Sequence, residues 1–333
     1  MARPDFLQLI DACDNFPQTD IGRTPWSEDA ASAYYQFLLP GDPRPHGFML
    51  PSVVAKMPWT SEWEVSKPDY RPRRVRLLGD YIEQTMYSKT INDALQRLVQ
   101  AAIEAQTFQL IRHPLNEDMR IMGGTPMDVP SVPIKINRTA APLFGIATRG
   151  AHMTVFVRCS AGEGGMKIWV PRRSAHLYTY PNMLDTTVAG GVKADESPFE
   201  CIVHEADEEA SLPEDLVRSR ARACGAITYV AAQETEDGKL MAPDCLYVYD
   251  LEVDESVIPR PRDDEVKEFY LWDLVQVMEA LVKGEFKPNC ALVMIDFFIR
   301  HGVITEENNV DYVELCRRLR RKLPVPTSVN TGW

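Results

Sequence analysis

The sequence has 333 residues, of which 45% are hydrophobic and 25% are charged, and its formal net charge is -12. These values are typical of a soluble globular protein with room for two domains, and the negative charge argues against binding to nucleic acid backbones. The most apolar run, residues 291–299, contains Asp296 and is too short to span a bilayer, so no membrane association is expected. Seven scattered cysteines without a C-x-x-C pair favour reduced thiols and a cytoplasmic location.

Residues 1–140 are predicted to form a separate N-terminal module. Helices are expected over residues 5–13, 30–39 and 92–105, the last with an apolar face of leucines and alanines. Glycines and prolines between Gly123 and Pro133 predict a linker. Four arginines are interpreted as a solvated basic patch, with a phosphate clamp as the alternative: Arg71, Arg73, Arg74 and Arg76.

From about Pro142 the pattern changes to strands mixed with helices. Residues 153–158 and 166–170 are rich in β-forming residues and predict a hairpin across the glycine-rich segment between them. Further strands are expected at residues 188–189, 226–232, 245–253 and 268–272. Helices are expected at residues 274–282, 291–299 and 311–322, with Gly302 just past the end of the second of them. Periodicity alone therefore predicts an α/β or α+β fold.

Residues 190–212 carry an acidic amphipathic helix. Ser197 at the N-cap, Pro198 in the first turn and Glu200 three residues after the serine predict that the helix begins with a capping box. Three carboxylates follow at positions i, i+3 and i+4 and therefore share one helical face: Glu205, Glu208 and Glu209. Like charges at this spacing repel, and hard divalent cations such as magnesium prefer oxygen ligands, so a cation partner is expected.

The spacing of these residues resembles the Nudix box, G-x5-E-x7-R-E-U-x-E-E-x-G-U, in which U is a bulky aliphatic residue. The first glycine, the four glutamates and the final aliphatic residue of the box are matched by Gly190, Glu196, Glu205, Glu208, Glu209 and Leu212. The sequence departs from the box where His204 replaces the arginine, Ser211 the second glycine and Ala206 the first aliphatic residue. The match is specific because the five-residue and seven-residue gaps must both hold.

A narrower resemblance covers most of the chain. The strings LDTTVAGGV, SPFECIVHEADEEASLPEDL and KPNCALVMIDFFIRHGVITEEN are similar to Nudix proteins related to fungal thiamine pyrophosphokinase. The resemblance implies a Nudix α/β/α sandwich with a mixed sheet over residues 141–302. It also implies a smaller α+β domain over residues 1–140 and a C-terminal helix and tail over residues 303–333. The segment after Gly302 is too short for the kinase domain of some members, so kinase activity is not expected.

The group that the chain resembles hydrolyses thiamine diphosphate, or its damaged oxo and oxy analogues, to the monophosphate with Mg²⁺ or Mn²⁺. The resemblance therefore implies a diphosphatase with a small-molecule substrate. Hydrolysis of ADP-ribose or another nucleoside diphosphate derivative is the alternative, followed by a non-catalytic binding module. Isomerisation of a prenyl diphosphate is disfavoured because no cysteine lies in a suitable local context.

The resemblance also assigns roles in metal binding and catalysis. The metal ligands that it implies are the backbone carbonyl of Gly190 and the carboxylates of Glu205, Glu208 and Glu209. Either Glu205 or Glu208 is implied to activate water. Glu265, in the acidic loop before residues 268–272, is the candidate for one more metal ligand, and a solvated acidic turn is the alternative.

Other residues are candidates for supporting the box and for binding the substrate. His204 is expected to face Glu196, where the box normally pairs arginine with its first glutamate. The candidates for substrate binding are Arg172, Arg173 and Asp185, with a basic strand end as the alternative for the two arginines. Three aromatic residues are weighed as a stacking face for a heteroaromatic cation, against plain core residues: Trp169, Tyr178 and Tyr180.

Overall fold

The computed structural model describes residues 5–17, 33–79, 84–126, 132–159, 165–328 and 330–331. Over these ranges, none of the helices combines the length and the apolar character needed to cross a membrane. The first element is helix α1 (Phe6–Cys13), as predicted. The side chain of Asp5 caps this helix by accepting a hydrogen bond from the backbone nitrogen of Gln8 at 3.1 Å.

A four-stranded sheet lies at the centre of the N-terminal region. Its strands are β1 (Tyr35–Leu38), β2 (Pro45–Met49), β3 (Trp63–Val65) and β4 (Arg74–Leu77), in the order β2-β1-β4-β3. The helix predicted over residues 30–39 is wrong at residues 35–38, and residues 30–32 lie outside the described residues. Strand β1 is hydrogen-bonded to β2 on one side and to β4 on the other. Its Tyr35 and Phe37 are two residues apart, so both rings lie on the same face of the sheet and are buried in the core.

Two helices, α2 (Pro51–Lys56) and α3 (Tyr87–Glu104), share one hydrophobic core with this sheet. Helix α3 begins five residues before its predicted start, and its buried face includes Ile91, Leu95 and Leu98. Arg76 of the basic patch pairs with Glu64 at 2.7 Å on the exposed side of the sheet, which supports the interpretation as a solvated patch.

Short elements connect the N-terminal region to the rest of the chain. They are β5 (Asp118–Arg120), β6 (Thr125–Pro126), β7 (Lys135–Asn137) and α4 (Ala141–Phe144). Strands β5 and β7 form an antiparallel pair, which joins residues 118–120 to residues 135–137. The predicted linker therefore contains β6, and its residues 127–131 lie outside the described residues.

A mixed sheet organises the second half of the chain. Its strands are β8 (Thr148–Arg158), β9 (Met166–Arg173), β10 (Val188–Gly191), β11 (Arg222–Thr235), β12 (Gly238–Val253) and β13 (Val266–Asp273). Their order is β11-β12-β8-β9-β13, with β10 paired to β8. Strand β12 runs parallel to β8, and the other pairs are antiparallel. The predicted hairpin is confirmed, since Phe156 pairs with Ile168, and its turn at residues 160–164 lies outside the described residues.

Helices cover both faces of this sheet. They are α5 (Pro198–Ala210), α6 (Glu214–Arg220), α7 (Leu274–Val282), α8 (Pro288–Arg300) and α9 (Tyr312–Arg318). Met153 and Val155 of β8 pack with α5 and α6, whereas Phe156 packs on the opposite face with α1, α7, α8 and α9. The chain therefore has the expected α/β/α sandwich with a mixed sheet, preceded by a smaller α+β region. The domain boundaries stay a prediction, and α1 contributes Phe6 and Ile10 to the core of the sandwich.

The two C-terminal helices, α8 and α9, end close to their predicted positions or earlier. Helix α8 ends at Arg300, and Gly302 follows with φ of 69°, the left-handed conformation expected of a glycine just past a helix. Helix α9 is shorter than the predicted 311–322, because the chain after it pairs with β11. Thr228 of β11 donates to the carbonyl of Leu319 at 3.1 Å and accepts from the nitrogen of Arg321 at 3.2 Å. Strand β14 (Asn330–Thr331) then pairs parallel with β6.

Candidate active site

Helix α5 begins where the sequence predicts, with Ser197 as its N-cap. The Ser197 Oγ accepts a hydrogen bond from the backbone nitrogen of Glu200 at 3.1 Å, which satisfies one free N–H group of the first turn. The carboxylate of Glu200 does not complete the predicted capping box, because it pairs with Arg218 at 2.6 Å. This ion pair ties α5 to α6.

Ser211 ends helix α5 in the left-handed conformation, with φ of 53° and ψ of 32°. Glycine adopts this conformation with the least steric strain, which explains why the box normally has its second glycine at this position. The Ser211 hydroxyl donates to the carbonyl of Arg260 at 3.0 Å, and the nitrogen of Arg260 donates to the carbonyl of Ala210 at 2.9 Å. These bonds hold the loop at residues 254–265 against the end of α5.

Gly190 lies on β10, directly against helix α5. A methyl group at position 190 would overlap the carboxyl group of Glu205, so the strand and the helix can approach this closely only with glycine here. The contact places the backbone of Gly190 beside the Glu205 carboxylate. Backbone carbonyls and carboxylates are both hard oxygen ligands, and the structure brings two of the predicted metal ligands together.

The three carboxylates of α5 differ in exposure. Glu208 is exposed and Glu205 is half-buried, whereas Glu209 is 8% exposed and accepts a hydrogen bond from Ala189 at 3.0 Å. Burial, together with the negative charges of Glu208 and Glu265, raises the pKa of Glu205 to about 7. Burial and the charge of Glu205 raise the pKa of Glu209 well above its ordinary value. This face of the helix therefore carries negative charge that a bound cation would stabilise.

Glu265 lies close to the carboxylates of α5, because its negative charge acts on both Glu205 and Glu209. Its loop is docked at two points. The nitrogen of Asp263 donates to the carbonyl of Glu208 at 3.2 Å, and the nitrogen of Ser174 donates to the carbonyl of Glu265 at 2.8 Å. The structure thus brings Glu265 to the site, while its role as a metal ligand stays a prediction.

His204 makes the contact that replaces the arginine pair of the box. Its Nδ1 lies 2.7 Å from Oε1 of Glu196, as expected, and the side chains are 58% and 12% exposed respectively. The contact joins the loop before α5 to the middle of the helix. A cleft of ≈ 860 Å³ opens beside this pair, between the box loop and the N-terminal region.

Arg172 and Arg173 lie at the end of β9 and have different surroundings. Arg172 donates to the carbonyl of Asn182 at 2.8 Å and to the hydroxyl of Tyr270 at 3.2 Å, so it fixes the neighbouring loop. Arg173 donates through Nη1 to Asp185 at 3.0 Å, and its buried Nε has no hydrogen-bond partner among the described residues. Substrate binding by all three predicted residues stays a prediction.

A buried polar cluster surrounds Asp185, and sequence spacing did not reveal it. The Oδ1 of Asp185 accepts from Thr186 at 2.8 Å and from the thiol of Cys290 at 2.7 Å, and the Nζ of Lys287 lies 3.9 Å from Oδ2. Burial alone would raise the pKa of Asp185, but the charge of Lys287 and other neighbours lower it to about 2. The negative charge of Asp185 also acts on Glu209, so this cluster adjoins the box carboxylates.

His152 belongs to the same cluster. In the part of the chain that the structure describes, ligand atoms of His152, Asp185 and Cys290 lie within 4.8 Å of one another, a geometry that zinc could use. The electrostatics argue against a cation there, because Lys287 and Arg173 already surround Asp185 with positive charge. Burial lowers the pKa of His152 to about 4, which keeps its ring neutral. The box carboxylates lie farther apart than the ligand atoms of this cluster, but less positive charge surrounds them.

The remaining candidates separate into core and surface residues. Trp169 is 7% exposed and belongs to the core beside α5, whereas Tyr178 is fully exposed. The ring of Tyr180 lies 5.8 Å from the Nζ of Lys287, so this tyrosine borders the polar cluster. All seven cysteines are free thiols, in agreement with their scattered positions.

Comparison with known proteins gives matches over the second half of the chain. Residues 149–290 match the NUDIX domain family. An uncharacterized protein of Saccharomyces cerevisiae is 39% identical over 201 residues, which are 58% of this chain and 58% of that protein. Nudix hydrolase 20, chloroplastic, of Arabidopsis thaliana is 39% identical over 188 residues, which are 56% of this chain and 48% of that protein. The chain spans about half the length of the curated relatives that it matches.

Among solved structures, a protein from Deinococcus radiodurans is 22% identical and covers 54% of this chain and 99% of its own, with a TM-score of 0.37. The NUDIX match spans Gly190, the whole of helix α5 and Glu265, and these residues lie together in the structure. Residues 149–290 therefore form a Nudix domain, in a chain whose named relatives are Nudix hydrolases.

Proposed function

We propose that this protein is a metal-dependent hydrolase that cleaves a small-molecule diphosphate. The observation that carries the proposal is the contact of Gly190 with Glu205, next to the carboxylates of Glu208 and Glu209. This arrangement supplies several oxygen ligands from one strand end and one helical face. Hydrolysis of a phosphoanhydride needs such a site, because the negative charge of the substrate must be neutralised.

The residues present fit a divalent cation. The pKa of Glu205 stays raised because burial and its like-charged neighbours outweigh the nearby positive charges of Lys193 and Arg138. Burial and the neighbouring carboxylates raise the pKa of Glu209. Mg²⁺ or Mn²⁺ would be held by the Gly190 carbonyl and by the carboxylates of Glu205, Glu208, Glu209 and Glu265. When bound, the ion neutralises the diphosphate and lowers the pKa of a coordinated water.

Side chains of the protein accept the proton, orient the substrate and position the loop before α5. Glu208, the exposed carboxylate of the three, or Glu205, which is half-buried, accepts a proton from the attacking water. Arg173 and the nearby Lys287 supply positive charge close to Glu209 and orient the diphosphate. Asp185 holds both cations in place. His204 and Glu196 hold the loop before α5 against the helix.

The substrate that we propose is thiamine diphosphate or one of its oxo and oxy analogues. Water attacks phosphorus, the phosphoanhydride bond breaks, and the products are the monophosphate and inorganic phosphate. The support is the similarity of the LDTTVAGGV, box and KPNC strings to the thiamine-pyrophosphokinase-related group. A cytoplasmic location belongs to the same proposal and is supported by the seven free thiols.

The test is turnover of a substrate panel by the full chain with Mg²⁺, followed by chromatography of the products. The panel contains thiamine diphosphate, oxothiamine diphosphate, ADP-ribose, a nucleotide sugar and isopentenyl diphosphate. We expect monophosphate from the two thiamine compounds. Turnover of ADP-ribose or the nucleotide sugar alone would move the substrate class to nucleoside diphosphate derivatives, and no turnover with normal metal binding would indicate a binding module.

A pair of variants locates the site in the same assay. Glu208→Gln should lower kcat by about 100-fold or more, the contribution typical of a positioned general base. Glu214→Gln is the matched control, since Glu214 begins the neighbouring helix α6 and pairs with Arg218 on the surface. Equal activity of both variants would place the catalytic site elsewhere.

A further inference from the structure

Arg138 lies outside the Nudix match, in the turn directly after β7 of the N-terminal region. Its backbone nitrogen donates to the carbonyl of Glu117 at 2.8 Å, and its Nη1 donates to the carboxylate of the same residue at 2.8 Å. Two bonds to one partner fix both the main chain and the guanidinium. The side chain is nevertheless 41% exposed, so part of the guanidinium faces solvent.

The guanidinium of Arg138 lies flat against Gly191, the residue that follows the box glycine. A methyl group at position 191 would overlap the guanidinium carbon and both terminal nitrogens. The two consecutive glycines at the end of β10 therefore admit two different groups. Gly190 admits the carboxyl group of Glu205, and Gly191 admits the guanidinium of Arg138.

The charge of Arg138 acts on carboxyl groups of the Nudix domain on two elements. Burial raises the pKa of Glu205 on α5, and Arg138 offsets part of that shift. Burial also raises the pKa of Asp244 on β12, and Arg138 again acts in the opposite direction. A cation that acts on both residues lies near the box carboxylates and near the part of β12 that pairs with the start of β8.

The N-terminal region is held against the box loop at further points, so the position of Arg138 is defined. The nitrogen of Ala194 donates to the carbonyl of Asp118 at 2.9 Å, and the Nε of Arg120 donates to the carbonyl of Ala194 at 3.0 Å. Both contacts join β5 to the loop between Gly191 and α5. The N-terminal region and the box loop are thus hydrogen-bonded to each other at this edge.

We propose that Arg138 binds a phosphate of the diphosphate substrate, so that the N-terminal region completes the site of the Nudix domain. This inference rests on the proposed function. Nη1 is engaged by Glu117, and among the described residues no acceptor bonds to Nε or Nη2. Arginine presents such donors as a planar fork that matches phosphate oxygens. The anchor on Glu117 preorganises the fork, which lowers the entropy that substrate binding costs.

Binding of imidodiphosphate, a hydrolysis-resistant diphosphate, tests this assignment by calorimetry on the full chain with Mg²⁺. Arg138→Gln should weaken the Kd about tenfold or more, since a charge-assisted hydrogen bond is lost. Arg138→Lys should recover only part of the affinity, because lysine lacks the fork. Arg76→Gln is the matched control, as Arg76 is also 41% exposed and paired with a glutamate, Glu64, but lies on the N-terminal sheet.

Gly191→Ala is a second variant, which displaces the Arg138 guanidinium without removing it. Like Arg138→Gln, it should raise the Kd for imidodiphosphate. Steady-state kinetics on the substrate found in the panel should show the effect of Arg138→Gln mainly in KM. Kd and KM of Arg138→Gln equal to those of Arg76→Gln would overturn the role of Arg138 and leave the proposed hydrolase intact. Binding without turnover by the wild type would refute the hydrolase, and the difference between the two variants would still decide the role of Arg138.

Discussion

The carboxyl group of Glu205 lies against the backbone of Gly190, so closely that a methyl group on residue 190 would overlap it. This contact joins the end of β10 to the middle of helix α5. It also explains why a conformationally ordinary strand position carries glycine, since Gly190 does not have a positive φ. The glycine provides space for a carboxylate rather than freedom for the backbone.

Gly190→Ala should therefore abolish activity while leaving the fold intact. The added methyl group must displace Glu205, and a misplaced catalytic group costs about 100-fold or more in rate. The measurement is kcat on the panel substrate, with circular dichroism to check folding. Gly284→Ala is the control, because a methyl group at position 284 meets no atom within 4 Å, although φ of 66° makes it strained. A Gly190→Ala enzyme as active as the control would contradict the packing argument.

The raised pKa of Glu205 predicts how stability depends on pH without metal. Its folded-state pKa of about 7 lies above the ordinary value of 4.5, so the folded protein binds this proton more tightly. Ionising Glu205 in the folded protein therefore lowers the free energy of unfolding. This loss is absent below about pH 4.5, grows as pH rises through 7, and reaches about 3 kcal/mol at most. In EDTA, wild type should lose stability relative to Glu205→Gln between pH 5 and pH 8.

Urea unfolding of both proteins at several pH values measures this difference, and the other titrating groups cancel in the comparison. Added Mg²⁺ should stabilise wild type more at pH 8 than at pH 5, because the ionised carboxylate is the ligand. A difference between wild type and variant that does not change with pH would show that Glu205 titrates normally in the folded protein.

The sequence predicted the features that local spacing determines. The N-cap at Ser197 and the glycine at Gly302 depend on a few neighbouring residues, and both are found in the structure. The strand at residues 35–38 was predicted as a helix, because its identity depends on partners in β2 and β4. Long-range pairing of this kind leaves no local pattern, and tertiary context overrides propensity.

The same reasoning explains which site residues were missed. Lys287 and His152 lie beside the predicted candidate Asp185, but the three residues come from separate segments, and no spacing links them before the chain folds. Lys287 lies in the KPNC string, so the resemblance pointed to the segment without assigning this residue. Arg138 belongs to the N-terminal region, outside the box motif, and no sequence spacing links it to Gly191, which it contacts in the structure. Only the packing of that region on the box loop reveals its position.

His204→Arg should keep or increase activity, because the pair with Glu196 restores the contact that the box normally makes with arginine. A guanidinium can also make a forked contact with the carboxylate, which an imidazole cannot make. The stability change should be small, about 1 kcal/mol or less, since His204 is 58% exposed. Loss of kcat with an intact fold would show that the histidine has another role.

Ser211 offers a test of backbone strain against a hydrogen bond. Ser211→Gly relieves the left-handed conformation, which costs a non-glycine residue about 1 kcal/mol, but it loses the bond to the Arg260 carbonyl, worth a similar amount. The two effects should nearly cancel. Ser211→Ala keeps the strain and loses the bond, so it should unfold about 1 kcal/mol more easily than wild type. Urea denaturation of the three proteins measures the order, and an alanine variant as stable as the glycine variant would mean that strain at Ser211 is negligible.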